Sequence, residues 1–176
     1  MPLSDTPLAD AGDLATLTGR DATDPALVAA LKSASARFRA ETGTSISVVI
    51  GDVAVLDGDG SELLLLPHVP VTDVTAVIVL GTALTADDYE WSADGRLRRR
   101  AGWPAAYRAV QVTHDHGYDP VPDDVQAAVL AAAEAELATP TGVASMSVGG
   151  ESVSYTQPGQ LADAGWQRIV DHYRVG

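Results

Sequence analysis

The sequence predicts an α+β chain: a helical bundle of two N-terminal helices, one Ala-rich central helix and a short C-terminal helix, carrying an inserted antiparallel β meander. Three observations predict it. Apolar residues recur at helical spacing before residue 44 and again after residue 120, strict alternation takes over between them, and Gly and Pro mark the changes of period. At 176 residues the chain is the size of one domain, and it is read as such, with N-terminal helices over 1–44, the β-rich insertion over 45–118, the central helix over 119–140 and an extended arm or hairpin with the C-terminal helix over 141–176.

Leu8, Ala11, Ala15 (or Leu14) and Leu17 share a helical face ending at Gly19. The next helix has Asp24 as N-cap, Pro25 where its missing N–H costs nothing, and Leu27, Leu31, Ala34 and Phe38 at i, i+4, i+7 and i+11 before Gly43. From Ser45 the period falls to two: Ile46, Val48 and Ile50 alternate with Ser47, Val49 and Gly51, followed by Val53 and Val55. Asp57-Gly58-Asp59-Gly60 reads as a hairpin turn before Leu63–Leu66. Pro67 and Pro70 interrupt the ladder, after which Val74–Leu80, Tyr89–Trp91, Leu97–Arg100 and Ala109–Thr113 supply further strands.

Asp123 and Asp124 place negative charge in the first turn of the third helix, where the macrodipole favours it. Val125, Val129 (with Ala128) and Ala132 (with Ala133) form its apolar face, and the small side chains of Ala127–Ala138 admit another backbone before Pro140 stops the run. Val143–Tyr155 alternates weakly around Gly149-Gly150 as a hairpin or extended arm. Leu161, Trp166 (with Ala162), Ile169, Val170 and Tyr173 then give a small amphipathic helix.

Composition removes several classes of function. With no cysteine the chain has no disulfide framework, thiolate zinc site or cysteine nucleophile. Its unbroken aliphatic stretches, Leu63–Leu66 among them, are far short of the ~20 residues of a membrane span, and an N-terminus carrying Asp5, Asp10 and Asp13 lacks the basic start of a signal peptide. No membrane association is expected. A formal charge of −13, from 11 basic and 24 acidic residues, argues against gripping nucleic acid, whose affinity comes from cations neutralising phosphates.

Chemical motifs are sparse. His114 and His116 lie two apart at a strand end and can point to one side, with Asp115 on the other, but a metal site would need two more donors. Asp57, Asp59 and Glu62 fail the calcium-loop pattern, since Glu62 stands where Gly is required and His68 where Glu is. No Gly-x-Ser-x-Gly elbow, phosphate loop or His-Glu-x-x-His occurs. No catalytic residue, metal or cofactor is therefore assigned. The clearest anomaly is a basic strip in an acidic chain: Arg96, Arg98, Arg99, Arg100 and Arg108. It is either a solvated edge strand guarded by charge or a contact with an acidic neighbour, such as the next copy of the chain.

The order of elements, together with several short motifs, carries a resemblance. The motifs are Leu66-Pro67-His68-Val69-Pro70-Val71, Asp88-Tyr89-Glu90-Trp91, Trp103-Pro104, Thr113-His114-Asp115-His116-Gly117-Tyr118 with Val121-Pro122-Asp123, Val148-Gly149-Gly150-Glu151-Ser152-Val153 and a terminal Tyr173-Arg174. The chain resembles the head-tail connector (adaptor, or head completion) proteins of long-tailed bacteriophages, especially those of GC-rich actinobacterial hosts. The small members best known are almost entirely helical, so the β-rich insertion is a departure.

The resemblance implies a non-enzymatic virion component, made in the bacterial host cytoplasm and built into the head-tail interface. It implies a homo-oligomeric ring, dodecameric in the family, docked beneath the portal protein. The ring would continue the DNA channel towards the next connector, a stopper or a tail-completion protein, with DNA passing through unbound. The C-terminal segment lies against the portal in the family, which makes Trp166, Ile169, Val170, Tyr173 and Arg174 the portal-binding candidates. Arg96, Arg98, Arg99, Arg100 and Arg108 are the inter-subunit candidates. Alternatives are another virion part, such as a stopper or tail-completion protein, or a small metal-dependent enzyme using His114 and His116.

Overall fold

Helices open and close the chain, and strands occupy its middle. A computed structural model describes residues 6–138, 147–148, 151–152 and 159–174. The described residues form two compact units, one built from the segments before Thr44 and after Pro120, the other from Thr44–Pro120.

The first unit contains helices α1 (Ala11–Thr18), α2 (Pro25–Thr42), α3 (Asp123–Ala138) and α4 (Gly159–Tyr173). The sequence signals for α2 act as expected: the Asp24 carboxylate accepts the Ala26 N–H at 2.9 Å, Pro25 occupies the first turn, and Gly43, at φ 74°, donates its N–H to the Arg39 carbonyl at 2.9 Å. Asp10 caps α1 by accepting from Gly12 N–H at 2.7 Å. Leu27, Leu31, Ala34 and Phe38 are buried, as their spacing predicts. On α3, Val125, Val129 and Ala133 are buried at i, i+4 and i+8, and this face meets α1, α2 and α4.

One reading of the first unit changes, and another is untested. Leu17 is 56% exposed, because the inward stripe of α1 runs through Ala11, Leu14 and Ala15 and leaves Leu17 roughly 110° round the helix. Pro140, expected to stop α3, lies outside the described residues, as do the Gly149-Gly150 turn and most of the 141–158 arm. Of that arm the short strands β8 (Ser147–Val148) and β9 (Glu151–Ser152) are described, and they pair antiparallel.

The second unit holds β1 (Val49–Gly58), β2 (Leu63–Leu65), β3 (Val71–Val79), β4 (Thr82–Ala83), β5 (Glu90–Trp91), β6 (Arg96–Arg98) and β7 (Ala106–His116). Every pairing of these strands is antiparallel. They divide into a four-stranded sheet of order β1-β7-β3-β4 and a three-stranded sheet of order β2-β6-β5. Asp57–Gly60 therefore does not close a hairpin: it carries the chain from an edge strand of one sheet to an edge strand of the other. The core comprises Leu64, Leu66, Val71, Val74, Val77, Val79, Leu97, Trp103, Ala109, Val110 and Val112. Trp103 satisfies its indole N–H on the Glu62 carbonyl at 3.1 Å.

The entry to β1 departs from simple alternation. Ile46 is buried with φ 62°, a backbone region costly for a β-branched residue, and it is held by Tyr118 N–H donating to its carbonyl at 2.8 Å. A bulge between Val49 and Asp52, with Gly51 at φ 67°, then resets the pleat. Downstream of it Asp52 and Ala54 turn inward, while Val53 and Val55 join Ile50 on the exposed side.

Candidate functional site

Three places carry the residues that the sequence singles out. On α4, Trp166 is 5% exposed and Val170 fully buried. The Trp166 ring meets Phe38 edge-on, with centroids 5.2 Å apart and planes at 85°, the Arg37 guanidinium lies 4.7 Å over it, and its indole N–H donates to Glu41 Oε2 at 2.7 Å. Burial pushes the Glu41 carboxyl up, but donors from Trp166, Arg37 and Gln167 outweigh it and hold the group below its ordinary value. Tyr173 packs near Phe38 and donates its hydroxyl to Asp124 Oδ1 at 3.0 Å. Trp166 and Val170 are thus engaged within their own bundle. Ile169 and Tyr173 are half-buried, and Arg174 is exposed, pairing with Asp171 at 3.1 Å.

The arginine strip lies on β6 and the turn after it, except for Arg108, which lies on β7. Leu97 points into the core, leaving Arg96 and Arg98 on the outer face. Arg96 pairs with Asp94 at 3.1 Å, Arg98 with Glu62 at 3.2 Å and Glu90 at 3.9 Å, and Arg100 with Glu90 at 3.7 Å. Arg99 donates to the Gly102 carbonyl at 2.9 Å and lies over the Trp103 ring. Arg108, at φ 52° on β7, is held through its backbone N–H by Asp57 Oδ1 at 2.6 Å. The structure brings Arg96, Arg98 and Arg100 together with three acids that sequence order alone did not attach to them. These pairs are exposed, so each contributes at most about 1 kcal/mol.

The third place is the inner end of β7. His114 and His116 point to the same face, as their spacing predicts, and both are buried; Asp115 turns the other way and accepts the Gly51 N–H at 2.7 Å. Asp52 of β1 sits in register opposite His114, and its Oδ2 lies 3.4 Å from His116 Nε2. One donor atom from each of Asp52, His114 and His116 falls within 4.8 Å of the others. His68 stacks on His116 with ring centroids 4.7 Å apart. Burial pulls both β7 imidazoles below the ordinary histidine value, with neighbouring His68 adding to it and the Asp52 charge opposing it. The contributions of Asp52 and His68 were hidden in the sequence, because 62 residues separate Asp52 from His114 and only strand pairing joins them.

A family model described as "Head completion protein" matches residues 10–175. The chain belongs to the head completion protein family. It is accordingly a structural protein of the virion's head-tail region, and the family is a structural one. No curated protein matches the chain. Among solved structures, this head completion protein is similar to a chain from the neck of an empty GTA particle computed with C6 symmetry. That likeness has 21% identity and a TM-score of 0.62, covering 99% of this chain and 92% of the other. A chain from the neck of a native GTA particle computed with C12 symmetry shares 19% identity at a TM-score of 0.59, covering 100% and 96%. A third, from the virion of a native gene transfer agent particle, shares 20% identity at 0.57, covering 100% and 92%. At these identities the likeness concerns the fold: the β-rich insertion belongs to an architecture that extends over nearly all of those chains.

Proposed function

We propose that this head completion protein acts as a connector adaptor: one connector domain per subunit, assembled as a homo-oligomeric ring beneath the portal, continuing the DNA channel towards the next connector or the tail. The family match over residues 10–175 carries this reading. The symmetric necks that contain chains of similar fold support a ring, and the C12 case supports twelve copies. A formal charge of −13 supports a lumen that repels DNA phosphates and lets the duplex pass unbound.

The second unit offers the surface such a ring needs. Val48, Ile50, Val53 and Val55 of β1 or its approach, Leu63 and Leu65 of β2, and Tyr107 are exposed large apolar side chains, with Ile50 at 72% and Tyr107 at 89%. Such a concentration is costly on a lone subunit and is relieved by burial against a neighbour. The Arg96, Arg98, Arg99, Arg100 and Arg108 strip would flank that contact as a polar rim. Portal docking would use the reachable part of α4 and the residue after it, namely Ile169, Tyr173 and Arg174, held in place by Trp166 and Val170 of the helix.

Removing α4 would expose the bundle core, so point changes are the proper test of docking. Ile169→Glu with Arg174→Glu should weaken sedimentation with purified portal rings while leaving the helical circular-dichroism signal intact; undiminished binding refutes the docking role. Arg98→Glu with Arg100→Glu removes three exposed pairs, each contributing at most about 1 kcal/mol, so the subunit should still fold. The same change should reduce ring formation seen by electron microscopy, and intact rings would remove the strip from the interface.

A further inference from the structure

The buried histidines of β7 are chemically unfinished. Among the described residues, neither ring nitrogen of His114 or of His116 has a hydrogen-bond partner of good geometry, nor does Nδ1 of His68, and all five atoms are sealed from solvent. A buried imidazole ordinarily places at least one nitrogen on a donor or acceptor, because leaving a polar atom unpaired costs about 1–3 kcal/mol. Three adjacent rings with this deficit, facing a carboxylate, form a donor set without an internal solution. Asp52 does not resolve it: its Oδ2 stands 3.4 Å from His116 Nε2, a long contact that engages at most one of the four β7 nitrogens.

We propose that Asp52, His114 and His116 bind a divalent transition-metal ion of the zinc type, with His68 the nearest residue for a fourth donor. The chemistry of the set selects the ion. Imidazole nitrogens with one carboxylate suit zinc and its neighbours, whereas calcium and magnesium prefer all-oxygen cages. Spacing agrees: bonds of ~2.0–2.1 Å in a tetrahedral site put donor atoms roughly 3.3 Å apart. The Asp52–His116 pair already stands at 3.4 Å, and the three donors lie within 4.8 Å, a spread that side-chain rotation can close. His68, whose ring stacks on His116 at 4.7 Å, brings its unpartnered nitrogen from the segment between β2 and β3.

The ion's role is structural. Asp52 belongs to β1, an edge strand; His114 and His116 belong to β7, which pairs with both β1 and β3; and His68 lies on the chain entering β3. One ion would cross-link the edge strand that carries the exposed apolar residues to the centre of its sheet. With His68 as the fourth donor such a site would close and leave no open coordination position for catalysis. It stands independently of the ring reading, since it concerns the fold of one subunit.

The test uses the full chain freed of metal with EDTA and titrated with ZnCl2 near neutral pH, followed by native mass spectrometry and thermal melting. The expected result is one zinc per chain and a raised melting temperature. Zinc at a hundredfold above its dissociation constant adds about 2.7 kcal/mol of stability by linkage. Asp52→Asn should weaken binding at least about tenfold, and His114→Gln with His116→Gln should abolish it, whereas His172→Gln on α4 should bind as the parent does. Should the double variant fail to fold, Asp52→Asn decides, because its amide keeps the volume of a partly exposed side chain. Co2+ provides an independent readout, through the intense visible bands of a tetrahedral nitrogen–oxygen site. No zinc bound by the parent chain, or binding unchanged in Asp52→Asn, overturns the proposal.

Discussion

Replacing Trp166 with alanine separates a packing role for α4 from a purely adhesive one. The side chain is 5% exposed, lies edge-on to Phe38 at 5.2 Å, carries the Arg37 guanidinium at 4.7 Å and donates to Glu41 at 2.7 Å. Truncating a buried Trp costs about 3–5 kcal/mol. The aromatic pair contributes about 0.5–1.5 kcal/mol within that figure, and the half-exposed cation contact about 0.5–1. Trp166→Phe is the control: it keeps most of the buried area and loses the hydrogen bond to a carboxylate that still has Arg37 at 2.7 Å and Gln167 at 3.3 Å, so about 1 kcal/mol is expected. Urea unfolding followed at 222 nm reads the helical unit. A loss below about 1 kcal/mol for Trp166→Ala would mean that α4 does not pack on α2 in solution, and the assignment of Trp166 as an anchor for Ile169, Tyr173 and Arg174 would fall with it.

The same contact predicts a pH dependence. Glu41 is held below its ordinary value of 4.5, so its contribution is present above that pH and lost as pH falls through the lowered folded value. Urea midpoints from pH 7 down to 3 should decline more steeply in the parent than in Trp166→Phe; parallel curves would contradict the Trp166–Glu41 bond. Ala133→Leu should cost about 1–3 kcal/mol, since Ala133 is fully buried on the close-packed face of α3, and a neutral outcome by thermal melting would show slack there. Gly117→Ala should cost about 2–4 kcal/mol, because a Cβ would stand 2.5 Å from the Ser47 carbonyl oxygen at a φ of +97°. Gly19→Ala, at φ +66° with open space around it, should cost only about 1. Equal losses in the two would refute the steric account.

The helices were legible in the sequence because their signals are local. Asp24-Pro25, the Leu27–Phe38 spacing and Gly43 define α2 without reference to any other element, and Val125 and Val129 do nearly as much for α3. The strands were legible as strands but not as sheets. Which edge meets which is set by pairing across long separations, as between Asp52 and His114 or Glu62 and Arg98, and no local period encodes it. Hence Asp57–Gly60 reads as a hairpin and turns out to cross between sheets, and hence the histidine pair reads as two donors short. Val53 and Val55 teach a related lesson: a single bulge at Gly51 decides which side of the pleat they occupy, and a two-residue period carries no marker of it.

The distribution of charge bears on how such a subunit could hold its neighbours yet release DNA. A basic strip in a chain of net charge −13 looks, in sequence, like a hook for an acidic partner. In the folded unit Arg96, Arg98 and Arg100 stand against Asp94, Glu62 and Glu90, and Arg99 is engaged with Gly102 and Trp103. The strip therefore projects little net field beyond a Debye length of roughly 8–10 Å, and in the proposed channel a phosphate backbone would meet no unneutralised cation cluster there. In the proposed ring the strip would then serve as a polar rim, and most of the adhesion between copies would come from elsewhere on the same unit. The apolar residues of β1 and β2 can supply it, because apolar burial is indifferent to the sign of charge and is not screened by salt. In the proposed ring, apolar contact for cohesion and acidic surface for passage would be separate tasks, so that no residue would serve one at the expense of the other.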